Sequence, residues 1–161
     1  MRTATARQIM LLAGLLSGLL LATVFGFQYA GYPPCELCIL QRWPHVAALA
    51  LGIVAWFMPG RTSARALAWA GVIVMLACAG IAFYHAGVEW KWWAGPAQCS
   101  GGASNIGSLS VDQLMAKINA APVVRCDEPA LLILGFSMAA WNVVASLLLA
   151  GLWSVAARRL R

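Results

Sequence analysis

The sequence predicts an all-α membrane protein, a four-transmembrane-helix bundle with a short amphipathic interfacial helix in its second outward loop. Three observations carry this expectation. Hydrophobic residues fill 62% of the 161 positions and charged ones only 10%, whereas soluble domains run at roughly 45–50% apolar and about 25% charged. Four uncharged runs approach the length of about 20 residues that a helix needs to cross a bilayer core. The charged residues collect between those runs. No internal repeat or long charge run divides the chain, so residues 1–161 read as a single membrane domain. The net charge of +6 is scattered over the ends of the apolar runs. It therefore points to membrane orientation and the lipid bilayer, with no nucleic acid as partner.

The expected spans cover about residues 9–28, 43–58, 66–84 and 130–157. Arg2 and Arg7 before the first run give it the flank of a signal peptide. No small-x-small cleavage site follows, and the apolar core exceeds the roughly 7–15 residues of a signal sequence, so an uncleaved helix is expected. Its Gly14, Gly18, Ala22 and Gly26 recur every fourth residue, a smooth stripe against which a neighbouring helix can pack closely. The second run is the shortest, and a start near Cys35 or Cys38 would lengthen it. Pro59-Gly60 closes it with a tight turn.

Charge sets the direction. Arg2, Arg7, Arg61, Arg65, Arg158, Arg159 and Arg161 stand without an acid at the two ends and in the second connection. Glu36, Glu89, Asp112, Asp127 and Glu128 all fall in the other two connections. Because Lys and Arg accumulate on the cytoplasmic side, both termini are expected there. The connections of about residues 30–42 and 85–129 then face outward, which in a bacterium is the periplasm. Along the longer one, Trp90, Trp92 and Trp93 suit a membrane interface, and Ser100-Gly101-Gly102-Ala103-Ser104 reads as flexible. Ser110 and Gln113 then form a capping box, and Val111, Leu114, Met115 and Ile118 share one face of a helix lying on the membrane.

This topology puts Cys35, Cys38, Cys99 and Cys126 on the oxidising side, two in each outward connection, and leaves Cys78 inside the third span as a small packing residue. Cys35-Glu36-Leu37-Cys38 follows Pro33-Pro34 and leads into the second span, so the pair is expected at a helix N-terminus, a position that favours thiolate. Arg42, four residues after Cys38, shares its face, either to hold a thiolate or an acceptor oxygen or to anchor in the headgroups. Cys99 and Cys126 read either as a structural disulfide or as a mobile pair that exchanges with the first. In the exchanging case two pairs relay two electrons. No flavin or nicotinamide fingerprint is present, and a lipid-soluble two-electron acceptor suits the location. Tetrahedral zinc on four cysteines is disfavoured by the spacing, since Cys-x-x-Cys occurs only once, and no metal site is expected. Haem between His45 and His85 lacks an attachment sequence.

The residues resemble the DsbB family of disulfide-bond formation proteins. The resemblance rests on Pro33-Pro34-Cys35-Glu36-Leu37-Cys38-Ile39-Leu40-Gln41-Arg42, on Tyr84-His85 with Gly87-Val88-Glu89, and on Arg125-Cys126-Asp127-Glu128. It implies a bacterial inner-membrane protein-disulfide:quinone oxidoreductase whose partner is a periplasmic thioredoxin-like dithiol protein of the DsbA type. By that resemblance the partner attacks the Cys99–Cys126 disulfide and forms its mixed disulfide with Cys99. Cys126 then exchanges with Cys35, and Cys38 is left as the thiolate facing the membrane quinone, ubiquinone or menaquinone. Arg42 binds or polarises the quinone carbonyl, and His85 lies near the same pocket. The long outward loop, rich in Trp, Gly and Ser, departs from the enterobacterial pattern and bears on partner docking. Two other readings compete: a non-enzymatic membrane module with structural disulfides or a cysteine metal site, and a vitamin K epoxide reductase type bundle. The latter carries its Cys-x-x-Cys near a later span.

Overall fold

The computed structural model describes residues 2–96, 99, 110–120 and 124–161. Its elements are α1 (Arg2–Tyr29), α2 (Glu36–Phe57), α3 (Arg61–Glu89), α4 (Val111–Ala120), the short strands β1 (Leu132–Ile133) and β2 (Phe136–Ser137), and α5 (Met138–Arg159). Helices α1, α2, α3 and α5 are each long and apolar enough to cross a membrane. They pack as a closed ring, α1 on α2, α2 on α3, α3 on α5 and α5 on α1. The protein is a four-helix membrane bundle. One end carries the cysteine pairs, and the other carries Arg7, Arg61 and the arginines that end α5. Leu15 and Leu19 on α1 are 53% and 63% exposed, as expected of a helix face that meets lipid tails.

Small residues draw the helices together. A Cβ added at Gly14 would stand 3.1 Å from the Ala48 carbonyl oxygen, and one at Gly52 would stand 2.8 Å from that of Met10. The first half of the expected glycine stripe therefore forms the α1–α2 crossing. Gly18 meets the Leu49 side chain, whereas Gly26 faces open space and contributes nothing to packing. Between α3 and α5 the Trp153 ring lies where a Gly71 side chain would be, and Trp153 is fully buried. Alanines, Met10, Met75, Cys78 and Leu149 complete this core. At the arginine end, Arg7 donates to the Gly60 carbonyl at 3.4 Å and Arg61 to that of Leu160 at 3.2 Å.

The helices exceed or fall short of the expected spans in instructive ways. Starting at Glu36, α2 takes in Cys38 and Arg42, and it passes through Pro44 without ending. α3 runs on to Glu89, so His85, expected in the outward loop, is a helical residue. The fourth span begins at Met138 instead of residue 130, because residues 132–137 form a hairpin pairing Leu132 with Ser137 and Ile133 with Phe136. Its turn residues Leu134 and Gly135 both have positive φ, 53° and 83°, the mark of a tight two-residue hairpin loop. Ser137 then caps α5, its Oγ accepting from the Ala140 amide at 3.2 Å. An unbroken apolar run concealed this turn, and only Gly135 signalled it.

The expected capping box is present on α4. The Ser110 amide donates to Gln113 Oε1 at 3.1 Å, and the Gln113 amide to Ser110 Oγ at 3.4 Å. Val111 and Met115 are exposed. The Ser100–Ser104 stretch and the side chains of Leu114 and Ile118 lie outside the described residues.

Candidate thiol site and adjoining cavity

Cys35 is the N-cap of α2. Two prolines hold the chain extended before it, and its Sγ accepts from the Cys38 amide at 3.3 Å. Capping thus turns both sulfurs to the same side, where Cys35 Sγ donates to Cys38 Sγ at 2.8 Å. Cys35 is buried and Cys38 partly exposed; both are free thiols. The hydrogen bond to Cys38, then burial, push the Cys35 thiol well above its ordinary range, with His85 pulling the other way.

From α3, His85 brings Nε2 to 3.5 Å from Cys35 Sγ and 3.8 Å from Glu89 Oε1. Its other nitrogen, Nδ1, lies 2.7 Å from Gln41 Nε2. Gln41 Oε1 accepts from Asn142 Nδ2 at 2.7 Å, and Asn142 Oδ1 lies 2.9 Å from His45 Nε2. These amide orientations make Gln41 the donor to His85 Nδ1, so the ring carries its proton on Nε2, toward Cys35 and Glu89. Cys78 joins the same network, its thiol donating to the Gln41 carbonyl at 3.7 Å. Expected as a packing residue, it is fully buried in the core and also meets this polar chain.

Cys99 and Cys126 form a disulfide across 27 residues with their Cα atoms 5.0 Å apart. It is buried in one cluster with Cys35, Leu37 and Val88. Cys35, Cys38, Cys99 and Cys126 therefore gather at one end of the bundle. Gly95 makes room for the approach: a Cβ there would stand 3.0 Å from Val88 and 3.6 Å from Cys99 Cβ. Beside Cys126, Asp127 Oδ2 receives Lys91 Nζ and Arg125 Nη2, both at 2.7 Å. These cations, Arg125 first, hold the Asp127 carboxyl well below the usual carboxylate range.

On its other side the thiol pair borders a cavity of about 300 Å³. Leu20, Val24 and Phe27 of α1 and Trp141 and Ala145 of α5 supply apolar walls, while Cys38, Gln41, Arg42, His45, His85 and Asn142 supply its polar groups. The Arg42 guanidinium donates to Gln28 Oε1 at 2.9 Å and stands 4.7 Å over the Phe25 ring. The four-residue spacing does put Cys38 and Arg42 on one surface.

The family model described as disulfide bond formation protein DsbB matches residues 6–156. The chain belongs to the DsbB family. Among individual proteins, this DsbB-family chain is 28% identical over 155 residues to the disulfide bond formation protein B of Cupriavidus necator (strain H16), covering 88% of this chain and 86% of that one. It is 26% identical over 118 residues to an uncharacterized protein of Rickettsia prowazekii (strain Madrid E), covering 73% of this chain and 67% of that one. No solved structure matches. Membership makes the chain a multi-pass membrane oxidoreductase of disulfide bond formation.

Of the residues singled out from sequence, Cys38, Arg42 and His85 line the cavity, Cys35 lies behind Cys38, and Cys99 and Cys126 share a buried cluster with Cys35. Sequence reasoning quoted Gln41 and Glu89 within motifs but gave them no role, overlooked Asn142, and weighed His45 as a haem ligand or a local hydrogen-bonding group, the second of which the Asn142 contact bears out. The available signal was polarity inside an apolar span, where an uncompensated amide or imidazole is costly and so marks a function or a partner.

Proposed function

We propose that this protein reoxidises a thioredoxin-like dithiol protein through its two cysteine pairs and delivers the two electrons to a membrane quinone. One observation carries the reading: the Cys35–Cys38 thiols share a buried cluster with the Cys99–Cys126 disulfide on one side, and on the other Cys38 lines a largely apolar cavity. A bound quinone supplies a two-electron, two-proton acceptor. The cavity fits such a ring, with apolar walls for its faces and tail and a guanidinium that can donate to a carbonyl oxygen.

The chain's own residues carry the exchange. A partner thiolate attacks Cys99 Sγ, breaks the Cys99–Cys126 bond and is then resolved by the partner's second thiol. Cys126 attacks Cys35 of the oxidised inner pair, which frees Cys38 as thiolate at the cavity wall. Cys99 recovers Cys126, leaving Cys35 and Cys38 reduced. Closing the Cys35–Cys38 disulfide then releases two electrons and two protons to the acceptor. His85 holds its Nε2 proton toward Cys35, positioned by Gln41, and Arg42 orients the acceptor. In sum, a partner dithiol becomes a disulfide and the acceptor gains two hydrogens.

The arginine distribution supports a bacterial inner-membrane orientation with both termini cytoplasmic and the cysteine pairs periplasmic. The exposed Val111 and Met115 support α4 as a helix lying on the bilayer surface. The test is anaerobic mixing of the purified protein with a reduced thioredoxin-like protein and a soluble quinone. One quinone reduced per dithiol consumed is the expected result; a folded, oxidised protein that reduces none sinks the proposal.

A further inference from the structure

We propose that the reduced Cys35–Cys38 pair and His85 form a site for a thiophilic divalent cation, Zn²⁺, whose occupation locks the pair in its reduced form. The three donor atoms lie within 4.8 Å of one another. The 3.5 Å between Cys35 Sγ and His85 Nε2 equals the edge, about 3.5 Å, of a tetrahedron with Zn–S near 2.3 Å and Zn–N near 2.0–2.1 Å. The sulfurs, 2.8 Å apart, must part to about 3.8 Å. Cys35 lies outside the helix as its N-cap, so rotation of its side chain opens the pair without moving α2.

The surroundings suit a metal. His85 is buried with Nε2 toward the thiols and Nδ1 held by Gln41 at 2.7 Å. Ligation through Nε2 shifts the ring proton to Nδ1, which Gln41 accepts through Oε1 once its amide and that of Asn142 turn over together, Asn142 Nδ2 then donating to His45 Nε2; this is the outer hydrogen bond that fixes metal-bound histidines. Two thiolates neutralise the ion, so the complex adds no net charge to a poorly solvated site. Cys38 and His85 also line the cavity, which leaves an entry path and a fourth ligand position open to water.

Binding is gated by redox state. Two thiols lose their protons as two Zn–S bonds form, and no electron moves. In the disulfide form neither sulfur offers a thiolate, so affinity vanishes. Occupation consumes the sulfur pairs that closing the disulfide requires. The binding claim stands apart from the quinone reading; the block on oxidation rests on it.

The experiment uses full-length protein in detergent with Cys99→Ala and Cys126→Ala, so that only the inner pair can respond. After anaerobic phosphine reduction it is titrated with Zn²⁺ against a chelating dye, and separately with Co²⁺. One ion per chain is expected, with the absorption of thiolate-ligated tetrahedral Co²⁺, and none after oxidation to the Cys35–Cys38 disulfide. Gln41→Leu should weaken binding by about 10- to 100-fold, and His85→Gln by more, with folding of each checked by circular dichroism. Equal affinity in a folded His85→Gln variant, or no binding by the folded reduced protein, overturns the site. Quinone reduction that starts at the same rate with Zn²⁺ bound overturns the block and leaves the site standing. A protein that binds Zn²⁺ but never reduces quinone refutes the oxidase reading alone.

Discussion

The two cysteine pairs are held by opposite means. Cys35 caps a 22-residue helix and Cys38 sits in its first turn, their geometry set by a capping hydrogen bond and by prolines upstream. Cys99 and Cys126 sit in irregular chain, and what holds them is a buried contact with Val88 and an ion cluster around Asp127. A pair on a helix end keeps its sulfurs in a fixed place, here with Cys38 at the wall of the cavity. A pair outside any helix lacks that fixed place, and thiol–disulfide exchange needs a pair that can change partners. The stiff pair suits the step that needs alignment with an acceptor, and the loose pair suits exchange between proteins.

The contrast breaks most sharply when each pair is disabled alone. Cys38→Ser should abolish quinone reduction while leaving one round of dithiol oxidation at Cys99–Cys126, seen as a single-turnover burst of partner disulfide. Cys99→Ser should do the reverse, refusing the partner yet reducing quinone after chemical reduction. Equal loss of both activities in either variant would mean that the pairs do not divide the labour.

Within the inner pair the sulfurs should differ by orders of magnitude in reactivity. The Cys35 proton is held by Cys38 and by burial, and its pKa is raised, so the thiol form persists as pH rises through the ordinary range. In the reduced protein at about pH 8, iodoacetamide should label Cys38 and spare Cys35, read by peptide mass spectrometry. Labelling of Cys35 first would reverse the assignment of the attacking sulfur.

Arg42→Ala should raise the KM for quinone by about 10- to 100-fold, the worth of a hydrogen bond from a charged donor, with little effect on oxidation of the partner. Smallest of all is Asp127→Asn, which frees Lys91 and Arg125. These groups are well solvated, so exchange between the pairs should slow by no more than about fivefold. The carboxyl is depressed, so its charge is present above the ordinary carboxylate range and lost only as pH falls below it. Stopped-flow exchange rates should therefore show no Asp127-dependent step between about pH 4 and pH 7.

Much of the fold was legible in the sequence, because a bilayer demands long apolar helices. The spans, the Cys38–Arg42 face and the Ser110–Gln113 cap all follow from local patterns. The hairpin at 132–137 did not, since its turn is hidden in an apolar run and depends on two positive φ angles. Nor did the polar chain, for Gln41 meets Asn142 across 101 residues and His85 across 44, and no periodicity links helices that meet only in space. For the same reason cysteine spacing could not show that His85, 50 residues from Cys35, stands 3.5 Å from its sulfur.

Among the described residues, the polar chain that starts at Cys35 ends at Ser146, whose Oγ donates to Asn142 Oδ1 at 3.5 Å. Beyond it lie Leu149, Ala150 and the Trp153 ring over Gly71. In the proposed reaction two electrons and two protons pass together from the thiols to the acceptor, so no net charge is transferred. Each disulfide is then made without moving charge through the bilayer, and its yield is indifferent to the voltage across the membrane.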